Sequence, residues 1–336
     1  MIKLAIDLGS SMTKIYRADT NSGVVLAEPS CVAVVGSEET VKAIGKEAKN
    51  LVGKTAEMTT IVSPVYEGGI VDVSLAATML RSFLDRIDVK GMARKRAHVL
   101  VCVPCGIPDK ALNDYAEVME ECGFKNVWFV EQPYLCALGA GATVSSADPV
   151  FCLDIGGGIS NAAVISADGI ISGIAMNIGG NNMDANVAAK ISKIYKLHVG
   201  ALTAERVKNE IGTLSPSPRG SMLAEGSSTL TFQPAGAAVR ASDLSDCISV
   251  YVDKVLEYAV DVLRNLPAEV AAAVNRNGVY LSGGVMKIPY LAQYIGNKLG
   301  MRVHVSEEPQ YTAVLGGGAL LRDVDSLNRY ARVTED

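Results

Sequence analysis

The segment Phe151-Cys-Leu-Asp-Ile-Gly-Gly-Gly158 sets one carboxylate, Asp154, at the end of an apolar run and follows it with three glycines. Glycine admits φ > 0 and lets backbone N–H groups approach another molecule closely. A row of inward-pointing amides is an anion nest suited to phosphate oxygens. A carboxylate on its rim suits a hard cation such as Mg²⁺, which binds through one or two carboxylates plus phosphates and waters. Alone, such a turn could equally be a tight connection between strands.

The pattern occurs twice. The chain opens Ile2-Lys-Leu-Ala-Ile-Asp7-Leu-Gly9-Ser10-Ser11, again an apolar run, an aspartate and a turn of small residues. Beyond each turn the chain continues alike: Met12–Ala18, Asp19–Gly23 and Val24–Leu26 in the first half, Ile159–Ile165, Ser166–Gly169 and Ile170–Ile171 in the second. Each half reads as a strand, a phosphate-type turn, a second strand, a glycine-containing hairpin turn and a third strand. A repeat of this size predicts two similar domains that face one another, with Asp7 and Asp154 holding one polyphosphate between them.

Other residues carry two readings each. Gln132 lies between the strand Val127–Val130 and Pro133, at a strand-to-helix junction that faces the ligand crevice of an α/β fold. Its amide could orient an attacking water or cap the helix. Glu205 and Lys208 share a helix face, a spacing that also fits a surface ion pair of little worth. Ser282-Gly283-Gly284 is a third glycine turn at a strand end. Cys102-Val-Pro-Cys105 has C-x-x-C spacing, but no second Cys or His pair is near, so both thiols are expected to be buried and structural. His98, His198 and His304 are isolated, which speaks against histidine catalysis or a metal site built on them. The basic run Lys90-Gly-Met-Ala-Arg94-Lys95-Arg96 is a surface loop, solvated or in contact with anionic lipid.

Positioning these groups takes an ordinary globular chain. Its 336 residues suffice for two domains, with 49% hydrophobic and 20% charged residues. A net charge of −5 argues against a nucleic-acid partner. No apolar run is long enough to span a bilayer, and Asp7 interrupts any amino-terminal signal, which points to the cytoplasm. Periodicity predicts a helix in 38–54 with Val41, Ile44, Ala48 and Leu51 on one face, and a helix capped by Asp72 that runs to Ile87. Further helices are expected over Asp109–Cys122, from Asp184 to Tyr195, from a Thr203 cap to Ile211, over Ser242–Leu263 and up to Leu299. Strands are expected at His98–Val103, Asn277–Leu281 and Val303–Val305, with 212–229 a loop and short strands in 229–239. The small residues Leu315-Gly-Gly-Gly-Ala319 open a last helix and suggest close approach to another helix.

Taken in order, Ile6-Asp-Leu-Gly, Glu131-Gln-Pro, Leu153-Asp-Ile-Gly-Gly-Gly, Thr203-Ala-Glu-Arg-Val-Lys-Asn-Glu-Ile-Gly212 and Leu281-Ser-Gly-Gly284 resemble the actin, sugar-kinase and DnaK superfamily. Within it the chain is most similar to the MreB family of bacterial actin homologues, over essentially its whole length. The resemblance implies a duplicated actin-like, ribonuclease H-like α/β fold with nucleotide in the cleft between two facing domains. It implies a first core at 1–30 and 64–150 with a small subdomain at 31–63, and a second core at 151–181 and 241–318 with a small subdomain at 182–240. A carboxyl-terminal helix, 319–336, would pack back on the first core. It further implies ATP and Mg²⁺ as cofactors. Gly9, Ser10, Ser11 and Met12 form one phosphate loop and Gly156, Gly157, Gly158 and Ile159 the other. Lys14 reaches a phosphate, and Asp7 and Asp154 hold the metal through its waters. Glu205 and Lys208 contact the adenosine, Gly283, Gly284 and Met286 close over it, and Gln132 positions the attacking water.

The activity so implied is a slow ATPase coupled to polymerisation of the chain with itself. Cell shape or intracellular positioning would be its role, with partner proteins and the inner face of the membrane as its surroundings. Gln132 stands where MreB proteins typically carry Glu, the phosphate loop is closer to that of actin, and the basic run lacks an apolar pair for lipid. Other members of the superfamily are the alternatives: a chaperone, a small-molecule kinase or a non-polymerising assembly protein. The chaperone would need a substrate domain beyond Gly318, where 18 residues remain, and the kinase would need larger insertions.

Overall fold

The computed structural model describes residues 1–36, 40–55, 58–143 and 148–332. Two five-stranded sheets dominate, and their strand orders are the same. The first runs Asn126–Glu131, His98–Val103, Lys3–Leu8, Met12–Arg17, Gly23–Pro29; the second runs Val303–Val305, Val279–Ser282, Val150–Ile155, Ser160–Ser166, Gly169–Met176. In each, the first three strands are parallel and the last two antiparallel. The repeat read from the two aspartate turns is therefore a repeat of whole sheets. Register repeats as well: Asp7 lies opposite Lys14, and Asp154 opposite Asn161.

Alternation along the central strands builds three cores around the two large sheets. Leu4, Ile6 and Leu8 enter a core beneath the helices Val73–Arg86 and Asp109–Glu121. Phe151, Leu153 and Ile155 enter a second core with the helices Ser245–Arg264 and Leu291–Leu299. The inward residues Ala5, Leu100, Cys102, Cys152, Ala163 and Ile165 form a third, between the sheets. Two helices fill it, Gln132–Gly139 and Thr312–Leu320. A β-carbon on Gly139 would collide with the carbonyl oxygen of Thr312, and one on Gly316 with that of Leu135. The expected close helix approach is thus real, and it keeps the sheets near one another.

Small residues make this layer thin, and cysteine serves as one of them. Cys102, Cys105, Cys136 and Cys152 are buried there without disulfides. Burial pushes the Cys105 thiol up to about 12 and the other three well above the usual range, so they rest as inert thiols.

Several local expectations are corrected. The helix expected in 38–54 is a strand, Thr40–Ile44, and a single turn, Lys46–Lys49, while residues 38–39 lie outside the described residues. Thr40–Ile44 joins Val32–Val35 and Thr59–Val62 in a three-stranded sheet, so tertiary pairing overrides a helical spacing of apolar residues. Thr203 is not a cap: the helix is Ala201–Ile211 with Gly200 at its N-cap. Within 212–229, Ser221–Ser228 is a strand paired with Pro234–Arg240. The basic run is a short helix, Met92–Arg96, whose Arg94 bonds the carbonyls of Val89 and Arg81 and the Asp85 carboxylate. A helix Ala268–Asn277 replaces the start of the expected Asn277 strand. The carboxyl-terminal helix is Val324–Tyr330, and residues 333–336 of its expected span lie outside the described residues. By contrast, Asp72 caps its helix as expected, accepting from Leu75 N at 2.8 Å.

The helix crossing tolerates no added atom. Gly316→Ala is expected to cost about 1–3 kcal/mol through overpacking against backbone. A lower urea midpoint at unchanged slope would show it, and a wild-type midpoint would refute it.

Candidate functional site

Both repeated aspartates sit where their central strand ends, and both are nearly fully buried. They face each other in a cleft of about 430 Å³ between the two sheets. Across the turn from Asp7, the Lys14 ammonium lies 2.7 Å from its carboxylate. Burial by itself would lower the Lys14 pKa, but the charges of Asp7 and Asp154 outweigh it, so the net shift is upward and the cation persists. Burial pushes the Asp154 carboxyl upward, a hydrogen bond from Ser282 Oγ at 2.7 Å opposes this, and the Asp7 charge adds to it. Asn161 Nδ2 also donates to Asp154 at 3.4 Å, and the Cys136 thiol at 3.7 Å.

The two small-residue turns pack into each other. A β-carbon on Gly157 would strike Ser11 Oγ, and one on Gly158 would lie 2.7 Å from Ser10 Cβ. Ser11 Oγ donates across the gap to Asn181 Oδ1 at 3.0 Å, while Ser10 Oγ accepts from Gly68 N at 3.2 Å. Glycine is therefore required where the two halves touch, and Gly9, Met12, Gly156 and Ile159 line the cleft on either side.

Gln132 also lines this cleft, at the first position of the helix Gln132–Gly139. Glu131 is the N-cap and no side chain caps the helix, so the capping reading of Gln132 is not realised. Its Oε1 instead accepts from Asn161 Nδ2 at 3.5 Å, and Asn161 Oδ1 accepts from Cys105 N at 3.0 Å. One buried amide thus connects Asp154 to Gln132.

At the other end, Glu205 and Lys208 do not pair with each other. Lys208 lies 2.8 Å from Asp184 and donates to Gly180 O at 3.2 Å. Burial pushes the Asp184 carboxyl up, against the pull of Lys208. Glu205, which lines the cleft, instead meets Lys49 of the turn Lys46–Lys49, 2.7 Å away. Gly283, held at φ 94°, and Gly284 form the wall, together with Val285, Lys287 and Ile288. Met286 packs in the second core beside Val285 and Ile288, which belong to that core and also line the cleft. Gln310 lines this end, and its buried Oε1 has no hydrogen-bond partner among the described residues.

The sequence reading missed Asn161, Ser282, Asn181, Asp184 and Lys49. Asn161 had a signal, since it follows Asp154 by the same seven positions that separate Lys14 from Asp7. Ser282 had a weaker one, as the last residue before the third glycine turn. Lys49 had none, because its partner is remote in sequence.

The residues fit a magnesium polyphosphate. Among the described residues no three His, Cys, Asp or Glu side chains gather into an all-protein metal cage. Two carboxylates beside glycine turns suit a cation that takes its remaining ligands from phosphate and water.

The profile of the MreB/Mbl protein family matches residues 1–329. The cell shape-determining protein MreB of Escherichia coli K12 is 31% identical, with 96% of this chain and 94% of that protein covered. The cell shape-determining protein Mbl of Bacillus subtilis 168 is 30% identical, with 96% and 97% covered. The crystal structure of MreB5 of Spiroplasma citri bound to AMPPNP superposes with a TM-score of 0.90 at 26% identity, covering 96% of this chain and 97% of that one. The MamK double helical filament shares the fold, with a TM-score of 0.78 at 17% identity and 96% and 99% covered. Two matching aspartate turns on duplicated sheets, and a family profile that spans nearly the whole chain, place this protein in the MreB/Mbl family of actin-like cell shape-determining proteins.

Proposed function

We propose that the cleft binds Mg²⁺-ATP and hydrolyses it slowly, and that hydrolysis is coupled to assembly of the chain with itself into filaments. One observation carries the reading: two equivalent carboxylate-and-glycine units, one from each half, meet in a single cleft beside Lys14 and Gln132. The nucleotides bound to its structural relative, AMPPNP in one crystal and ADP in another, support it.

In this reading Gly9–Met12 and Gly156–Ile159 cradle the phosphates, with Lys14 a point charge on the β- or γ-phosphate. Asp7 and Asp154 hold Mg²⁺ through its waters. The ion, when bound, neutralises charge on the phosphate oxygens. Gln132, its carbonyl held by Asn161, orients the attacking water. A neutral amide orients water but is a poor base, which accounts for a slow rate. Glu205, Lys208, Gly283 and Gly284 enclose the nucleoside. Contacts to the γ-phosphate from both halves favour a closed, assembling state, and their loss loosens it.

We place small subdomains at 31–63 and 182–240, so Lys49 and Glu205 would join them over the mouth of the cleft. Cell-shape or positioning proteins are the partners this role calls for. No helix among the described residues is long and apolar enough to cross a membrane. A site at the inner face of the membrane fits the exposed Met92 beside Lys95 and Arg96.

Three measurements test these points. Wild-type protein should pellet with Mg²⁺-ATP and release phosphate slowly; Gln132→Ala should still pellet but lose phosphate release, and pelleting indifferent to nucleotide would sink the reading. The Lys49–Glu205 pair is about one-third exposed and is worth about 0.2–1 kcal/mol. Lys49→Ala should therefore speed release of a fluorescent ATP analogue by about 1.4- to fivefold, whereas an unchanged rate would mean that the pair does not guard the mouth. Vesicles of anionic lipid should carry the protein down where neutral ones do not, and Met92→Ser should weaken this; equal recovery with both lipids would remove the membrane contact.

A further inference from the structure

The strand that delivers Gln132 is an edge strand. Asn126–Glu131 pairs on one side with His98–Val103, and its free edge meets the carboxyl-terminal segment. There Arg332 N donates to Phe129 O at 2.7 Å, and Trp128 Nε1 donates to Asn328 Oδ1 at 3.1 Å. The Arg332 guanidinium spans two carboxylates, Glu131 at 2.8 Å and Asp109 at 3.1 Å. Glu131 is the residue before Gln132 and the N-cap of its helix, yet its carboxylate makes no capping bond. It pairs with Arg332 instead, and a hydrogen bond also joins it to the Cys105 thiol.

The same segment reaches the other half of the molecule. The Tyr330 ring packs on Tyr134, two residues past Gln132, with centroids 4.0 Å apart. Its hydroxyl donates to Ala167 O at 2.5 Å, in the hairpin turn between Ser160–Ser166 and Gly169–Met176 of the second sheet. One short segment therefore holds the strand before Gln132 by its backbone at Phe129 and the helix after it by the Tyr134 ring, and Tyr330 ties that segment to Ala167 of the second sheet.

We propose that Arg332 and Tyr330 are positioning residues for Gln132, through which the relative orientation of the two halves sets the placement of its amide. Neither touches the cleft. Arg332 fixes the junction through Glu131 and Phe129, and Tyr330 transmits the position of the second sheet through Tyr134. A rotation that shifts the Ala167 turn displaces the start of the Gln132 helix. Displacements of this kind, of an ångström or less, are enough to change how a water is aligned. The proposal rests on the reading of Gln132 as the residue that orients water.

The test is phosphate release against ATP concentration, with the unfolding temperature measured on each protein. Arg332→Gln should lower kcat about tenfold and leave KM within about twofold, with little change in unfolding temperature. Arg332→Lys should recover most of the rate, because one ion pair to Glu131 survives. Glu131→Gln should match Arg332→Gln, and the double variant should be no worse than either single one. Tyr330→Phe keeps the ring contact and loses the hydroxyl's bonds to Ala167 and Tyr134, so it too should lower kcat alone. Wild-type kcat in Arg332→Gln overturns the proposal, as does a fall in kcat that KM and unfolding temperature follow in step. No release by the wild type, or full release by Gln132→Ala, would overturn the reading beneath it and the proposal together.

Discussion

Backbone contact between two helices sets the scale of this molecule. Gly139 and Gly316 let Gln132–Gly139 and Thr312–Leu320 cross with carbonyls where side chains would ordinarily stand. Both helices lie between the sheets, so this crossing fixes how near the sheets come. Gly317 against Ala5 and Leu100, and Gly318 against Tyr16, extend the same close fit onto the first sheet. Had the layer been filled with leucines, Asp7 and Asp154 would sit farther apart and could not share one ligand.

Bringing two carboxylates together in a buried cleft is costly, and the surrounding residues offset the cost in different ways in the two halves. Lys14 neutralises Asp7 directly. The equivalent position in the second half is Asn161, which donates one hydrogen bond to Asp154 and leaves its charge in place. The duplicated frame is thus electrostatically asymmetric, one carboxylate salt-bridged and the other only hydrogen-bonded. Asn161 then serves twice, since the same amide group holds Gln132.

The halves are joined at three depths. Lys49 pairs with Glu205, Ser11 and Asn181 meet at the small-residue turns, and Tyr330 reaches Ala167 away from the cleft. Exposed ion pairs are weak and readily broken, whereas the glycine crossing is packed and does not yield. A motion that opens the cleft while pivoting about the crossing follows from that contrast.

Much of this was legible in the chain. Repeated aspartate turns announced duplicated sheets, because an apolar run, a carboxylate and a small-residue turn demand the same local geometry wherever they occur. Asp72 capped its helix and Gly212 ended another, as local backbone chemistry requires. Local spacing misled where partners were remote: Val41 and Ile44 fit a helix stripe but pair in a strand. Motif order and turn chemistry are properties of neighbouring residues, so the sequence carried the fold, the family and most of the cleft. The pairings of Lys49 with Glu205, Lys208 with Asp184 and Arg332 with Glu131 join residues far apart in the chain. Long-range packing alone chooses such partners, because any exposed or half-buried charge has many candidates until the backbone brings one of them within reach.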